Sequence, residues 1–165
     1  MDTPNPDDVK LGEYKIDFER WIHDEFPYLR TQSYRMTSLY TEDYNCIAWA
    51  VDDTENWWWP DDDSYWPQGI NRQETMESFI KAFRTKSFEP CEFDTQVEPG
   101  FEKIVLYVDH NDKLAHVAKQ MESGKWSSKL GNGWDIEHET TQGVECVDYG
   151  RARYMLKRAR EVKDN

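Results

Sequence analysis

The stretch KIVLYVDHNDKLAHVAKQM, residues 103–121, decides the architecture that we predict for this chain. Residues 103–108 form an apolar run of strand length, and residues 113–121 form a second strand-like segment that contains His116. The polar residues 109–112 between them are typical of a tight turn, and such a short connection joins antiparallel strands. We therefore predict a β-hairpin with His116 in its second strand.

A third strand is predicted over residues 125–130, after the turn-forming residues 122–124. Two loop lengths are possible, and they differ in the side chains that share a face. A three-residue loop places Ser128 on the face of His116, whereas a two-residue loop places it on the opposite face. We prefer the three-residue loop because it puts Gly124 at the left-handed position. The three strands then form an antiparallel meander.

A candidate nucleophile precedes the sheet in the segment YNCIAWA, residues 44–50. Asn45 is a preferred helix N-cap, and Ile47 and Ala50 have the spacing of one helix face. Cys46 would then lie beside free backbone N–H groups, which favour a thiolate over a thiol. The alternative is a small apolar cysteine in a core helix.

His116 is the best partner for Cys46. Papain-like hydrolases bring a histidine on a sheet to a cysteine at a helix start, although the two are far apart in sequence. We therefore predict a thiol hydrolase or acyl/amide transferase with Cys46 as nucleophile and His116 as general base. Ser128 would orient the imidazole, and Asp135 or His138 from the following loop could do so instead. The alternative for His116 is a structural histidine, with its hydrogen bonds satisfied inside a half-buried sheet, which is the commoner role of a lone histidine.

These segments resemble known families. NCIAWA, residues 45–50, resembles the nucleophile helix of the NlpC/P60 and CHAP amidase groups, and His116 with the hairpin after it resembles their histidine strand. This resemblance implies an α+β, papain-like (NlpC/P60-like) fold with N-terminal helices, a nucleophile helix and an antiparallel β-meander. It also implies a peptide, amide or peptidoglycan-like substrate.

The chain is more closely similar to an uncharacterised domain family of bacteria and fungi, over roughly residues 15–155. That resemblance implies no particular reaction. The matching elements are YNCIAWA (44–50), WWWP (57–60), PGFEKI (99–104), AHVAKQ (115–120), WSSKLG (126–131) and DIEH (135–138).

Composition limits the other classes of function. The chain has 165 residues and a net charge of −13, which disfavours binding to nucleic acid phosphates or to an anionic membrane surface. Residues 1–8 are acidic where a signal peptide needs a basic and then an apolar start, so we expect a cytoplasmic protein. Secretion by a leaderless route remains compatible with the sequence.

Three widely spaced cysteines argue against a disulfide framework, and the chain has no C-x-x-C pair and no close pair of histidines to bind zinc. We therefore expect neither a metal nor a cofactor.

Residues 52–69 form a long segment rich in Trp, Pro and Asp. Such a segment can form the wall of a substrate groove, for which we predict Asn45, Trp58, Trp59 and Trp66. Alternatively, the tryptophans seal the core beneath a long loop.

We predict a flexible N-terminus over residues 1–12 and one domain over residues 13–165. Residues 72–84 are expected to form a helix capped by Asn71, and the basic segment after residue 150 is expected to form a terminal helix. The alternative to catalysis is an inactive papain-like fold that acts as a protein-binding or immunity-type module.

Overall fold

The computed structural model describes residues 17–38, 41–131 and 133–161, so the expected flexible segment 1–12 lies outside the described residues. Within these residues, helix α1 covers residues 17–25. The elements that follow are a 3₁₀ helix (Pro27–Arg30), β1 (Tyr34–Met36), α2 (Cys46–Ala50), α3 (Met76–Arg84), β2 (Glu89–Cys91), β3 (Phe101–Val108), β4 (Leu114–Gln120), β5 (Trp126–Lys129), β6 (Asp135–His138), a second 3₁₀ helix (Thr141–Val144) and β7 (Arg151–Ala159).

The strands form one sheet in the order β1-β6-β5-β4-β3-β7-β2, and every neighbouring pair is antiparallel. Strands β3, β4, β5 and β6 follow one another as a meander, because each short connection permits only an antiparallel return. The predicted meander is confirmed.

The register between β4 and β5 follows the three-residue loop. The backbone N–H of Met121 donates to the carbonyl oxygen of Lys125 at 2.7 Å, and Gly124 has φ +90°. Gln120 then pairs with Trp126, and this register places Ser128 on the face of His116. The preferred register is confirmed.

The sheet has two covered faces. We call the side under α2 and α3 the front face; its strand residues include Leu106, Val117 and Leu156. The side under α1 is the back face, and its strand residues include Val105 and Ala118. Residues of opposite faces alternate along each strand, so neighbouring side chains enter different cores.

The expected papain-like α+β fold is wrong. The described chain is built mainly of strands, and the helix that carries Cys46 has only five residues, Cys46–Ala50. Most of the core is formed by side chains of the open sheet, of α2 and α3 on the front face and of α1 on the back face. The local pattern around Cys46 does resemble a nucleophile helix, but a six-residue match carries no information about how the rest of the chain packs.

The expected basic terminal helix is also wrong, because residues Arg151–Ala159 form β7 between β3 and β2. Two neighbouring strands supply backbone hydrogen bonds along β7, and this tertiary pairing overrides the helix-like spacing of its apolar residues. The basic side chains pair with the acidic body. Lys157 contacts Glu98 at 2.9 Å, and Arg158 contacts Asp52 at 2.8 Å.

Helix α3 begins later than expected. Its N-cap is Thr75, whose side-chain oxygen accepts from the backbone N–H of Ser78, so neither Asn71 nor a capping box at Asn71 starts it. The predicted apolar stripe is present, since Phe79 and Phe83 are buried in the front core.

Candidate active site

Asn45 connects α2 to the tryptophan segment. Its side-chain oxygen accepts from the backbone N–H groups of Ala48 at 3.1 Å and Trp58 at 3.2 Å, and its amide donates to the carbonyl oxygen of Trp58 at 2.6 Å. The predicted N-cap is therefore confirmed, and one buried side chain holds both the start of α2 and the loop after it.

Cys46 is partly exposed, but the protein packed around its sulfur raises the pKa of the thiol to about 11. The backbone N–H groups of Val117, Ile47 and Cys46 itself, and the charge of Lys129, each lower this pKa without overcoming the burial. The expectation that the helix start produces a thiolate is wrong for the resting protein, because desolvation outweighs the nearby donors.

A hydrogen-bonded relay crosses three strands on the back face. Ser128 Oγ lies 3.0 Å from His116 Nε2 and 2.8 Å from His138 Nε2, and His138 Nδ1 lies 2.8 Å from the carbonyl oxygen of Thr140. All three side chains of the relay are buried. The relay therefore links β4, β5 and β6 through one serine.

Both histidines of the relay are neutral. Burial lowers the pKa of His116 to about 3, and the repulsion that a protonated His138 would exert adds to this decrease; burial lowers the pKa of His138 to about 4. The hydrogen bond from His138 to Thr140 opposes that decrease without reversing it. Neutral imidazole has one N–H donor and one acceptor nitrogen, so the relay has a definite direction.

The direction of the relay follows from Thr140, since a carbonyl oxygen only accepts. His138 Nδ1 must carry the proton, so His138 Nε2 accepts from the Ser128 hydroxyl. Ser128 Oγ then accepts from the N–H of His116 Nε2, which leaves the lone pair of His116 on Nδ1. No hydrogen-bond partner of this Nδ1 is found among the described residues.

Tyr149 lies flat against His116, with ring centroids 4.1 Å apart and planes inclined by 3°. The turn before β7 holds it there: Gly150 donates to the carbonyl oxygen of Cys146 at 2.8 Å. At Gly150 a Cβ would lie 1.8 Å from the carbonyl oxygen of Val108, so only glycine fits this approach. The stacked ring fixes the plane of the imidazole from outside the relay.

Cys46, His116 and Tyr149 line one cavity of about 330 Å³. Its lining residues are Asn45, Cys46, Trp57, Trp59, Ala115, His116, Gly131 and Tyr149. Among the predicted groove residues, Asn45 and Trp59 line it, whereas Trp58 and Trp66 are buried in the front core. For Trp58 and Trp66, the alternative prediction that the tryptophans seal the core is therefore correct.

The cavity lies at one end of the sheet, where β4 begins and β5 ends. β4 and β5 are paired at Lys119–Ser127 and Gln120–Trp126, and the β3–β4 register shifts beside Ala115.

Cys46 packs against the front core, whereas His116 belongs to the back face, so the thiol and the imidazole approach the cavity from opposite sides. The described residues contain no hydrogen bond between them.

Asp135 and His138 lie in strand β6, not in a loop as expected. Asp135 is on the front face, where its carboxylate accepts from the hydroxyl of Tyr44 at 2.6 Å, so it has no contact with His116. His138 contacts Ser128 and not His116 directly. The structure thus brings Ser128 to His116 and places His138 behind it.

Tyr149, Trp57 and Gly131 are cavity residues that the sequence reasoning did not identify. The turn-forming dipeptide at Tyr149 and Gly150 predicts a turn before β7, but nothing local indicates that the turn folds back over His116. Only the packing of the two ends of the sheet reveals it.

In the part of the chain that the structure describes, no group of three or more His, Cys, Asp or Glu side chains could hold a metal ion. No helix among the same residues is both long and apolar enough to pass through a lipid bilayer.

A family model described as a domain of unknown function (DUF7689) matches residues 35–157, so the chain belongs to this family. The resemblance to an uncharacterised family is confirmed in this form, whereas no match to the NlpC/P60 or CHAP families supports the more distant one. No curated protein and no solved structure matches the chain.

Proposed function

We propose that this domain is a cysteine-dependent hydrolase or acyl/amide transferase of the peptidase or amidase type. Cys46 is the nucleophile, His116 is the general base, and Ser128 is the positioning residue. The observation that supports this proposal best is the direction of the relay, which leaves the lone pair of His116 on Nδ1, in a residue that lines the same cavity as Cys46.

The raised pKa of Cys46 and the lowered pKa of His116 define the resting state as neutral thiol and neutral imidazole. Proton transfer therefore accompanies attack and does not precede it, unlike a site with a preformed ion pair. The backbone N–H groups near the sulfur, of which Val117 provides one, are available to stabilise negative charge as it develops.

In the proposed reaction, His116 Nδ1 takes the thiol proton while sulfur forms a bond to the carbonyl carbon of an amide or ester. The carbonyl π electrons move to oxygen, then return as the bond to the leaving group breaks, and the imidazolium protonates that group. Water, or an acceptor nucleophile in a transferase, loses its proton to His116 and attacks the thioester. The acyl group departs and the thiol is restored.

The experiment is intact-mass detection of the acyl-enzyme after mixing with a p-nitrophenyl acyl ester. We expect one acyl adduct on the wild-type protein, none on Cys46→Ala and slower formation on His116→Gln. Cys91→Ser and Cys146→Ser are matched controls, because both cysteines are partly exposed but neither lines the cavity. Equal acylation of Cys46→Ala, or an unchanged rate in His116→Gln, would contradict the proposal.

A protein-binding or immunity-type module is the second candidate, and the raised pKa of Cys46 favours it because an inert thiol suits a structural role. If Cys46→Ala leaves the cellular phenotype of the protein unchanged, this candidate replaces the first. Residues 57–66, which contribute Trp57 and Trp59 to the cavity, are then the first segment to mutate.

A further inference from the structure

The lining of the cavity has a distinct chemistry. None of its eight described lining residues carries a formal charge near neutral pH, because burial keeps Cys46 and His116 neutral. Trp57, Trp59 and Tyr149 provide aromatic walls, and the polar side-chain groups are the amide of Asn45, the thiol, the imidazole, the tyrosine hydroxyl and the two indole N–H groups, all of them uncharged. Such a lining favours apolar groups.

A charged ligand would lose its hydration in this cavity without finding an opposite charge among the lining residues. The net charge of −13 also disfavours the approach of anions. No acidic side chain is among the described lining residues, and two carboxylates of the nearby tryptophan segment already have partners: Asp52 is paired with Lys119 and Arg158, and Asp53 accepts from the indole of Trp58 at 2.8 Å.

The size of the cavity sets a further limit. An apolar cavity of about 150 Å³ is sufficient for benzene. The observed volume of about 330 Å³ therefore accommodates one ring or a branched aliphatic group together with the carbonyl group that reacts. The unpartnered Nδ1 of His116, a residue only 1% exposed, provides one polar contact for such a ligand.

We infer that the cavity binds neutral, apolar acyl groups, aromatic or branched aliphatic, and excludes charged ones. This inference names the substrate class of the proposed hydrolase and rests on it for the reaction. The binding preference itself is independent of turnover, so the two can fail separately.

The test compares alkylation of Cys46 by four probes of one reactive class: iodoacetamide, N-benzyl iodoacetamide, anionic iodoacetate and a trimethylammonioethyl iodoacetamide. Each rate constant is divided by that of the same probe with glutathione, which removes intrinsic reactivity. We expect the benzyl probe to be favoured about 10-fold to 100-fold over iodoacetamide, from the free energy of burying one ring, and both charged probes to be disfavoured.

Two variants sharpen the test. Trp57→Ala should reduce the benzyl preference several-fold, whereas Phe93→Ala, an exposed aromatic outside the cavity lining, should leave it unchanged. Ala115→Asp places a carboxylate in the lining and should reverse the order, making the cationic probe faster than the benzyl probe. Ratios within one variant cancel any change in thiol reactivity.

The inference would be overturned if the cationic or the anionic probe reacted fastest with the wild-type protein. It would also be overturned if the four normalised rates were equal. If no probe labels Cys46, the hydrolase proposal fails, and the preference is measured by reversible binding. N-Benzylacetamide should then shift the indole N–H signals of Trp57 and Trp59 in NMR spectra more strongly than benzyltrimethylammonium or phenylacetate. Equal or absent shifts would overturn the inference in that case.

Discussion

The two faces of the sheet carry different chemistry on the same strands. On the back face, His116, Ser128 and His138 are buried and joined by hydrogen bonds between neutral groups. On the front face, Lys129 and Asp135 are equally buried, at 0% and 1% exposure, and they lie directly opposite each other in the register. Ser128 and Lys129 are sequence neighbours that serve opposite faces because strand side chains alternate.

The difference indicates separate roles for the two faces. The back-face relay determines the position of each proton, since every group in it has one possible direction. The front-face groups set the local charge: Lys129 donates to the carbonyl oxygens of Thr41 and Gly133, and it lowers the pKa of Cys46. One Asp135 oxygen has no hydrogen-bond partner among the described residues.

The largest expected effect is on catalysis and separates the two faces. His116→Ala should lower kcat/KM for an acyl substrate by about 1,000-fold or more, and Ser128→Ala by about 10-fold to 1,000-fold, because the relay orients the base. Asp135→Asn on the front face should change it less than about 5-fold.

The measurement is kcat/KM across pH, because loss of orientation alters the pH profile and a merely structural defect does not. Equal losses in Ser128→Ala and Asp135→Asn would remove the distinction between the faces.

The second prediction concerns the stability of the front face. Lys129→Ala should lower the free energy of unfolding by about 3–5 kcal/mol, because it leaves a cavity and removes the donor to the buried carbonyl group of Gly133 and the partly buried one of Thr41. Lys129→Met, which retains most of the volume, should cost less. Urea denaturation measures both, and an equal cost for the two variants would show that charge and not volume dominates.

The third prediction is acid sensitivity that arises on the back face. The folded pKa values of His116 and His138, about 3 and about 4, lie below the unfolded value of about 6.5, so the unfolded chain binds protons more readily. Stability should therefore fall as pH decreases below about 6.5, by about 2 kcal/mol per histidine between pH 7 and pH 5.

His138→Gln should remove about 2 kcal/mol of this pH dependence, whereas His110→Gln, at an exposed position in the turn between β3 and β4, should not change it. Urea denaturation at the two pH values provides the comparison. An unchanged pH dependence in His138→Gln would mean that the relay histidine is not the group that titrates.

The smallest expected effect tests whether burial makes the front-face charges important. Arg35 contacts Glu137 at 3.2 Å, but its side chain is 72% exposed. Arg35→Ala should change the free energy of unfolding by less than about 1 kcal/mol, because water screens this pair. A cost similar to that of Lys129→Ala would contradict the importance of burial.

The elements that the sequence predicts correctly are those that short-range interactions determine. The β4–β5 register followed from one glycine, Gly124, and the cap of α2 followed from Asn45, since turn and cap preferences depend on a few adjacent residues. The contact between Ser128 and His116 then followed from the register by alternation. These inferences required no knowledge of the distant chain.

The sequence by itself therefore determined the meander, its register, the helix cap at Asn45 and the shared face of His116 and Ser128. Only the tertiary structure decided that residues 151–159 extend the sheet, that α2 lies opposite the face of His116, and that Tyr149 covers the imidazole. The physical reason is the distance along the chain over which each kind of interaction acts. Turns and caps are stabilised by neighbours in the chain, whereas strand partners, burial and the pKa of a buried thiol depend on residues that folding alone brings together.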